Sequence, residues 1–409
     1  MSVTMALCGA LFSWNKANAN CQQVWHPVDS GIDNTVRSLV VYNGDLIVAG
    51  LFTTADGQPV NRIARWDGSH WHAMGGGMSG PVYSLAVHNG DLIAGGGFAN
   101  AGGQAVSFIA RWDGSQWHGI GGGMSDTVRS LVVHNGELIA GGDFTTAGGQ
   151  TVNRVARWDG SQWNALRNGV NGSVLSLAVY NGDLIVGGSF SVALNPHITV
   201  NRIARWNGSQ WQSLGGGLNS VVFSLTVYNG DLIAGGFFSS GSGLPASSNR
   251  IARWDGSQWH ALGSGMNSAV QSLTEFNGEL IAGGIFTTAG GQPVGHVARW
   301  DGSHWHAMDS GVNASVFSFA EWGSDLIVGG SFNIVGGQPA NRIARWDACV
   351  TPPCALADLN CDGLVDVLDL LILLGAWGNC PKSGDCPADL NHSGTVDVQD
   401  LLILLANWG

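Results

Sequence analysis

The sequence predicts an all-β chain, a seven-bladed β-propeller, with a small α-helical module at its C-terminal end. Three observations predict it: a unit copied seven times, four strand-like runs inside each copy, and a change of composition after Val350. Repeats of this kind set the architecture before any local signal does, because each unit must bury its apolar face against the next.

The repeat is marked by two series of tryptophans. One is Trp66, Trp112, Trp158, Trp206, Trp254, Trp300 and Trp346; the other is Trp25, Trp71, Trp117, Trp163, Trp211, Trp259 and Trp305. In the second copy the runs Val82 to Val87, Asp91 to Phe98, Ser107 to Trp112 and Gln116 to Ile120 read as four strands. Asn89-Gly90 joins the first pair and Asp113-Gly114 the second, and both dipeptides supply the positive φ of type I′ hairpin turns. Four antiparallel strands per unit is the blade of a propeller. Glycine doublets and β-branched runs exclude a helical solenoid of similar period. Composition agrees: Gly is 63 of 409 residues, charged residues 11% and hydrophobic residues 44%.

The first unit opens on a fourth-strand run at Trp25 and the last ends on a third-strand run at Trp346. The N-terminal strand is therefore expected to complete the final blade. Cys21 and Cys349 flank the cut turn, and a disulfide between them would replace the missing hairpin; pairing of either with the tail is the alternative. The run Val3 to Trp14 followed by Ala17-Asn18-Ala19 reads as a signal peptide over 1–19. With it removed, Cys21, Cys349, Cys354, Cys361, Cys380 and Cys386 remain, an even number suited to a secreted or cell-surface protein. No apolar run reaches the ~18 residues of a membrane span, and a net charge of −12 argues against nucleic acid. The expected division is 20–348 for the propeller, 349–357 for a linker and 358–409 for the tail.

The glycine doublets followed by aromatic strand residues look like kelch-type propellers. The units also resemble the repeats of a fungal cell-polarity marker's ectodomain. Both resemblances imply a fold and little about activity.

The connections between strands two and three, and between blades, lie on the face opposite the tight turns. Units four and five carry expansions there, Ser191 to Val200 with His197, and Ser239 to Ser248. A ligand is expected on that face or at its central channel. The seven repeated arginines, such as Arg65 and Arg111, read as hydrogen-bonding posts between blades. His70 with His72, and His304 with His306, share a face but read as outer-strand surface before a metal pair. Eight acids fall outside the repeated turn positions: Asp29, Asp33, Asp56, Asp126, Asp143, Glu275, Asp309 and Glu321. Their scatter among blades gives little support for a catalytic pair.

From Val350 onward there are eight Asp and one Lys. Residues 358 to 369 and 389 to 400 place oxygen donors at loop positions 1, 3, 5, 7, 9 and 12, with Gly363 or Gly394 at position 6. The donors are Asp358, Asn360, Asp362, the Leu364 carbonyl, Asp366 and Asp369 in the first loop. In the second they are Asp389, Asn391, Ser393, the Thr395 carbonyl, Asp397 and Asp400. This is the EF-hand spacing, and carboxylates so crowded repel unless a cation lies between them. Two calcium ions are the expected cofactors. Ser393 stands where the first loop has Asp362, so the second site is expected to be the weaker.

Each loop leads into an apolar helix, DLLILLGAW or DLLILLANW, with no helix before the loop. Two such half-hands resemble a type I dockerin over residues 358 to 409. The resemblance implies calcium-dependent docking to a cohesin-like partner; Val367-Leu368 and Val398-Gln399 replace the small hydroxylated pair usual at the partner-facing positions. Cys354, Cys361, Cys380 and Cys386 are expected to staple the module, in any of three pairings. The function expected is an extracellular binding or scaffold protein, its propeller recognising a glycan or protein ligand and its tail docking on a partner or folding back on its own propeller. The rival is a polysaccharide hydrolase or lyase recruited by the same tail, which a channel-facing carboxylate pair about 5–10 Å apart would favour.

Overall fold

The computed structural model describes residues 24–194, 197–239, 244–245, 248–347, 357–359, 364–380, 386, 388–391 and 393–408. The 1–19 leader and both cysteines of the expected Cys21–Cys349 clasp lie outside them. The chain divides into two compact units, Val24–Ala348 and one containing Cys349–Gly409.

The first unit is the seven-bladed propeller: seven four-stranded antiparallel sheets, six built from one continuous stretch of chain each and the seventh from the two ends of the unit. In the second blade the strands are Val82–His88, Asp91–Gly96, Ile109–Trp112 and Trp117–Gly119. The second and third end and begin two residues inside the runs read from sequence. The first strands of neighbouring blades approach one another and lie innermost. Hairpin turns form where expected, with Asn89 at φ 53° and Gly90 at φ 84°. Between the second and third strands the connection folds into its own short hairpin, Asn100–Ala101 on Gln104–Ala105. Only glycine fits where the second strand ends: a Cβ on Gly96 would lie 2.1 Å from the Pro81 carbonyl oxygen.

The core is divided among the blade interfaces. Tyr42, Ile47 and Ile63 of the first blade, with Met74 just after its fourth strand, meet Val82, Leu92 and Phe98 of the second in one buried cluster. Each interface also carries directed bonds. Ser38 Oγ accepts the Leu85 N–H at 3.0 Å, and Ser84, Ser130, Ser176 and Ser318 do the same for the following blade. The fourth-strand tryptophans donate across the interface, Trp117 Nε1 to the Met74 carbonyl at 3.0 Å and Trp25 Nε1 to that of Met308 at 2.8 Å.

The ring closes as the repeat phase requires. Trp25–Pro27 pairs with Ile343–Trp346, Trp25 opposite Trp346. The cut turn keeps the contacts of an intact one: His26 Nε2 lies 3.0 Å from Asp347, as His72 Nε2 lies 2.6 Å from Asp67.

The arginine reading is corrected. Arg65 pairs with Asp45 at 2.6 Å and Arg111 with Asp91 at 2.7 Å, and the other five follow suit, all within one blade. Antiparallel pairing of strands two and three sets Ile47 opposite Arg65, which brings Asp45 diagonally alongside. Half-exposed pairs of this kind contribute about 0–1 kcal/mol each; the interfaces are held by packing, serines and indoles.

The Asp-Gly-Ser turns are Asx-type caps. Asp113 Oδ1 accepts the Ser115 and Gln116 N–H groups and the Ser115 hydroxyl, and Oδ2 meets His118. The Gln116 N–H, then the other donors, hold this carboxyl below the ordinary aspartate value of 3.8. Asp67, Asp159, Asp255 and Asp301 are lowered in the same way. A depressed folded-state value stabilises fully above the unfolded value, and the contribution is lost as pH falls below 3.8. The melting temperature is therefore expected to fall between about pH 4 and about pH 2. In Asp113→Asn that slope should be shallower and stability at pH 7 lower, because an amide keeps the three Oδ1 bonds, as Asn207 does in the fourth blade, without the contribution of the ionised carboxylate. Thermal melts across this range decide it; an identical acid slope in the variant would refute the turn's part in it.

In the second unit two short helices, α1 (Val367–Gly375) and α2 (Val398–Ala406), pack on a minimal core of Ala357, Val365, Leu373, Ala388, Val396 and Leu404. Of the three cysteine pairings left open, the structure has Cys380 joined to Cys386; Cys354 and Cys361 lie outside the described residues.

Candidate binding face and acidic loops

The face of the long connections is built around the central channel by a bulge. In every blade the pairing of first and second strands slips at one residue, between Val36 and Ser38 in the first blade and at equivalent places in the others. A bulged residue is left out of the ladder and its side chain is re-aimed. The seven are Arg37, Tyr83, Arg129, Leu175, Phe223, Gln271 and Phe317.

These side chains touch across blades. The Arg37 guanidinium stands 3.9 Å from the Phe317 ring centre, and that of Arg129 stands 4.6 Å from the Tyr83 ring centre. Arg129 Nε also donates to Asp143 at 2.8 Å, and Arg154 Nη1 donates to the Asp143 carbonyl. Burial first, and the Arg129 charge among its neighbours, hold the Arg37 guanidinium below its ordinary value.

A second ring lies beside the first, at the residue that enters the third strand: Arg62, Phe108, Arg154, Arg202, Arg250, His296 and Arg342. All seven have positive φ, between 60° and 75°. The left-handed region costs a non-glycine residue about 1–2 kcal/mol, so glycine would be the cheaper choice at each. Five of the seven carry arginine instead. Arg202 and Arg342 donate to the carbonyls of Phe190 and Phe332 at 3.0 Å, and Arg250 lies over the half-exposed Phe237 ring. Among the described residues, Arg37 Nε, Arg250 Nε and His296 Nδ1 are buried polar atoms without a hydrogen-bond partner. Sequence reasoning pointed to this face but missed these residues; the Asn-Arg that precedes the third strand in five of the seven units was the available signal.

The other side-chain groups singled out in the propeller are accounted for locally. His72 and His306 bond to Asp67 and Asp301, while His70 and His304 face Ser69 and Ser303, so neither pair converges on a metal. Asp33 accepts from Thr53, Asp56 from Ser30 and Asp126 from Thr127. Inter-blade grooves such as the 370 Å³ cavity lined by Tyr42, Asp45, Arg65 and Trp112 have their charged groups paired with each other. The expanded connections of blades four and five are only partly described; His197 is an exposed turn residue beside the Val192–Ala193 hairpin.

In the tail, Asp358, Asp369, Asp389 and Asp400 are buried, Asp369 and Asp400 completely. Asp366 and Asp397 are the N-caps of α1 and α2, in capping boxes closed by Asp369 and Asp400. Asp369 accepts the N–H groups of Leu359 and Asp366; Asp400 accepts those of Asn391 and Asp397. The Ser393 N–H donates to both Asp389 and Asn391 at 2.9 Å, and the Ser393 hydroxyl to the Thr395 carbonyl. In both loops the first and last carboxylates are buried. Asn360 and Asp362 lie outside the described residues; Leu364 does not. Among the described residues one trio has ligating atoms within 4.8 Å of one another, Cys380, Cys386 and Asp389. Its cysteines are joined in a disulfide and carry no thiolate.

Comparison with known proteins concerns the propeller. The sequence model of a family described as Rax2 C-terminal beta propeller domain matches residues 120–279. A domain of unknown function described as a beta-propeller, DUF5122, matches residues 43–66 and 325–348. No curated protein matches the sequence. Among solved structures, the WD40 beta propeller domain of Doa1 is similar with a TM-score of 0.50 at 15% identity, over 80% of this chain and 96% of that one. The extracellular domain of the two component system BT4673 from B. thetaiotaomicron has a TM-score of 0.52 at 12% identity; 79% of this chain aligns, covering 40% of that one. Identities of this order carry the fold alone. By fold, this chain is a seven-bladed β-propeller.

Proposed function

We propose that the chain is an extracellular binding or scaffold protein. Its propeller recognises a glycan or protein ligand on the long-connection face. Its tail, holding two calcium ions, gives calcium-dependent attachment to a cohesin-like partner. The observation that carries the reading is the duplicated tail: two loops with EF-hand spacing, each with inward carboxylates at its first and last positions, each followed by a helix whose outer side is apolar. Val367, Leu371, Leu374 and Trp377 on one copy and Val398, Leu402, Leu405 and Trp408 on the other are all exposed. So much uncovered apolar surface on so small a unit marks an interaction face. The donors fit calcium, a hard cation that takes oxygen ligands. Asp358, Asp366, Asp369 and the Leu364 carbonyl would contribute to one site, and Asp389, Asn391, Ser393, Asp397, Asp400 and the Thr395 carbonyl to the other.

The test is capture by the full chain from extracellular extract, with calcium and then with chelator. A partner retained with calcium, released by chelator and lost in Leu371→Glu/Leu402→Glu is the expected result. Capture of nothing calcium-dependent overturns the attachment half of the reading.

A further inference from the structure

We propose that the channel mouth binds an anionic polysaccharide, a sugar chain bearing carboxylate or sulfate groups, through two groups on the bulge ring, Phe317 with Arg37 and Tyr83 with Arg129, Asp143 and Arg154. This deepens the reading above and rests on it only in taking the propeller as the ligand-binding part.

Four observations carry it. First, two cation–aromatic pairs bridge neighbouring blades, Phe317 of the seventh with Arg37 of the first and Tyr83 of the second with Arg129 of the third, and Asp143 joins Arg129 to Arg154. Second, its charge is lopsided: three guanidinium groups against one carboxylate, in a protein of net charge −12. Guanidiniums held partly buried on one ring favour an anion beside them. Third, buried arginine donors lack partners at this mouth, Arg37 Nε on the bulge ring and Arg250 Nε on the ring beside it. Donors of this kind are satisfied in the protein's working state by something that accepts. Fourth, a positive φ is kept at arginine where glycine would relieve it; strain of this sort collects at ligand-binding positions.

The aromatic partners select the chemical class. A guanidinium laid flat on a ring presents its planar fork edge-on, the geometry that grips a carboxylate or sulfate with two bonds. Phe237, half exposed beneath Arg250, offers an apolar face to the flat side of a sugar ring. An extended acidic peptide would look for main-chain partners on the innermost strands. One of those N–H groups in each of five blades is already taken by the preceding blade's serine. A chain with repeating charge is favoured over a lone anion because the arginines recur around the ring.

The experiment uses the full chain with calcium and isothermal titration against polygalacturonate, dextran sulfate, neutral dextran and polyglutamate. The expected result is binding to one or both anionic glycans at least tenfold tighter than to dextran or polyglutamate, weakening as salt rises. Which of the two binds identifies the substituent. Arg37→Gln and Arg129→Gln should each lose at least tenfold, and Tyr83→Ala should lose affinity while leaving the charges in place. Arg111→Gln, in the arginine–acid pairs of the blades, should bind as the parent does. Thermal melts of every variant separate lost binding from lost folding. Equal affinity for neutral dextran, polyglutamate bound as tightly as the glycans, or mouth variants that bind normally would each overturn the proposal. Failure here with calcium-dependent capture intact leaves the tail's part standing, and the converse result leaves this site standing.

Discussion

Trp25→Ala is expected to destabilise the propeller by about 3–5 kcal/mol, and to open the seventh blade before the others. The indole is 6% exposed, lies 4.7 Å from Trp346 between ring centres, and donates across the interface to the Met308 carbonyl. Its loss removes a large apolar surface, leaves a cavity and orphans a buried carbonyl. Trp117 has the same surroundings in the second blade, packed on Trp112 and donating to Met74. There the fourth strand stays tethered to the third through the turn at Asp113, so Trp117→Ala should cost the burial and the lost bond to Met74 without opening the blade. In the seventh blade a strand of three residues, Trp25–Pro27, is the closure of the ring. Truncating its one large side chain removes most of what holds it. Denaturant unfolding compares the two variants, and amide exchange reports where opening begins. Equal costs, with no early loss of protection over Val316–Trp322 and Asp325–Gly330, would show that the closing strand carries no special share of stability.

How much of this was legible in the sequence depends on whether a residue type or a register decides the feature. Asn89-Gly90 and Asp113-Gly114 demand turns, and the tryptophan series count the blades; these are local chemistry repeated, and the phase of the repeat alone put Trp25 against Trp346. The bulge is different. Arg37, Tyr83, Leu175 and Gln271 occupy the same slipped position and share no property, so nothing in their identity announces it. The partners of Arg65 were ambiguous for a related reason. An acid recurs in every unit, and a repeat pattern places Asp45 equally well beside its own blade's arginine or the next one's; only the register, Ile47 opposite Arg65, decides. The short hairpin described in the second connection of six blades was hidden in segments that read equally well as plain loop. In the tail the spacing of carboxylates was plain, whereas their double duty as helix N-caps came only with the placement of α1 and α2.

Calcium removal is expected to undo the tail and leave the propeller intact. The tail's fully enclosed side chains are few, and Leu373 and Leu404 are the largest of them. A core of that size falls short of what an independent domain needs, even with the Cys380–Cys386 bond. Ion binding would supply the difference: a ligand at about a thousand times its dissociation constant adds about 4 kcal/mol. Without it the inward carboxylates, which accept the N–H groups of Leu359 and Asp366 at Asp369 and of Asn391 and Asp397 at Asp400, repel one another. Chelation should therefore abolish amide protection over Val367–Gly375 and Val398–Ala406 while the blade strands keep theirs. Asp369→Asn and Asp400→Asn should each weaken one site by at least about tenfold, since carboxylate count tunes affinity. The first loop has Asp362 where the second has Ser393, so calorimetry on the parent should find the tighter site abolished by Asp369→Asn and the weaker by Asp400→Asn. Helices equally protected in chelator would mean that the N-caps and the small core suffice, and the reversed assignment of the two sites would mean that something other than charge sets their order.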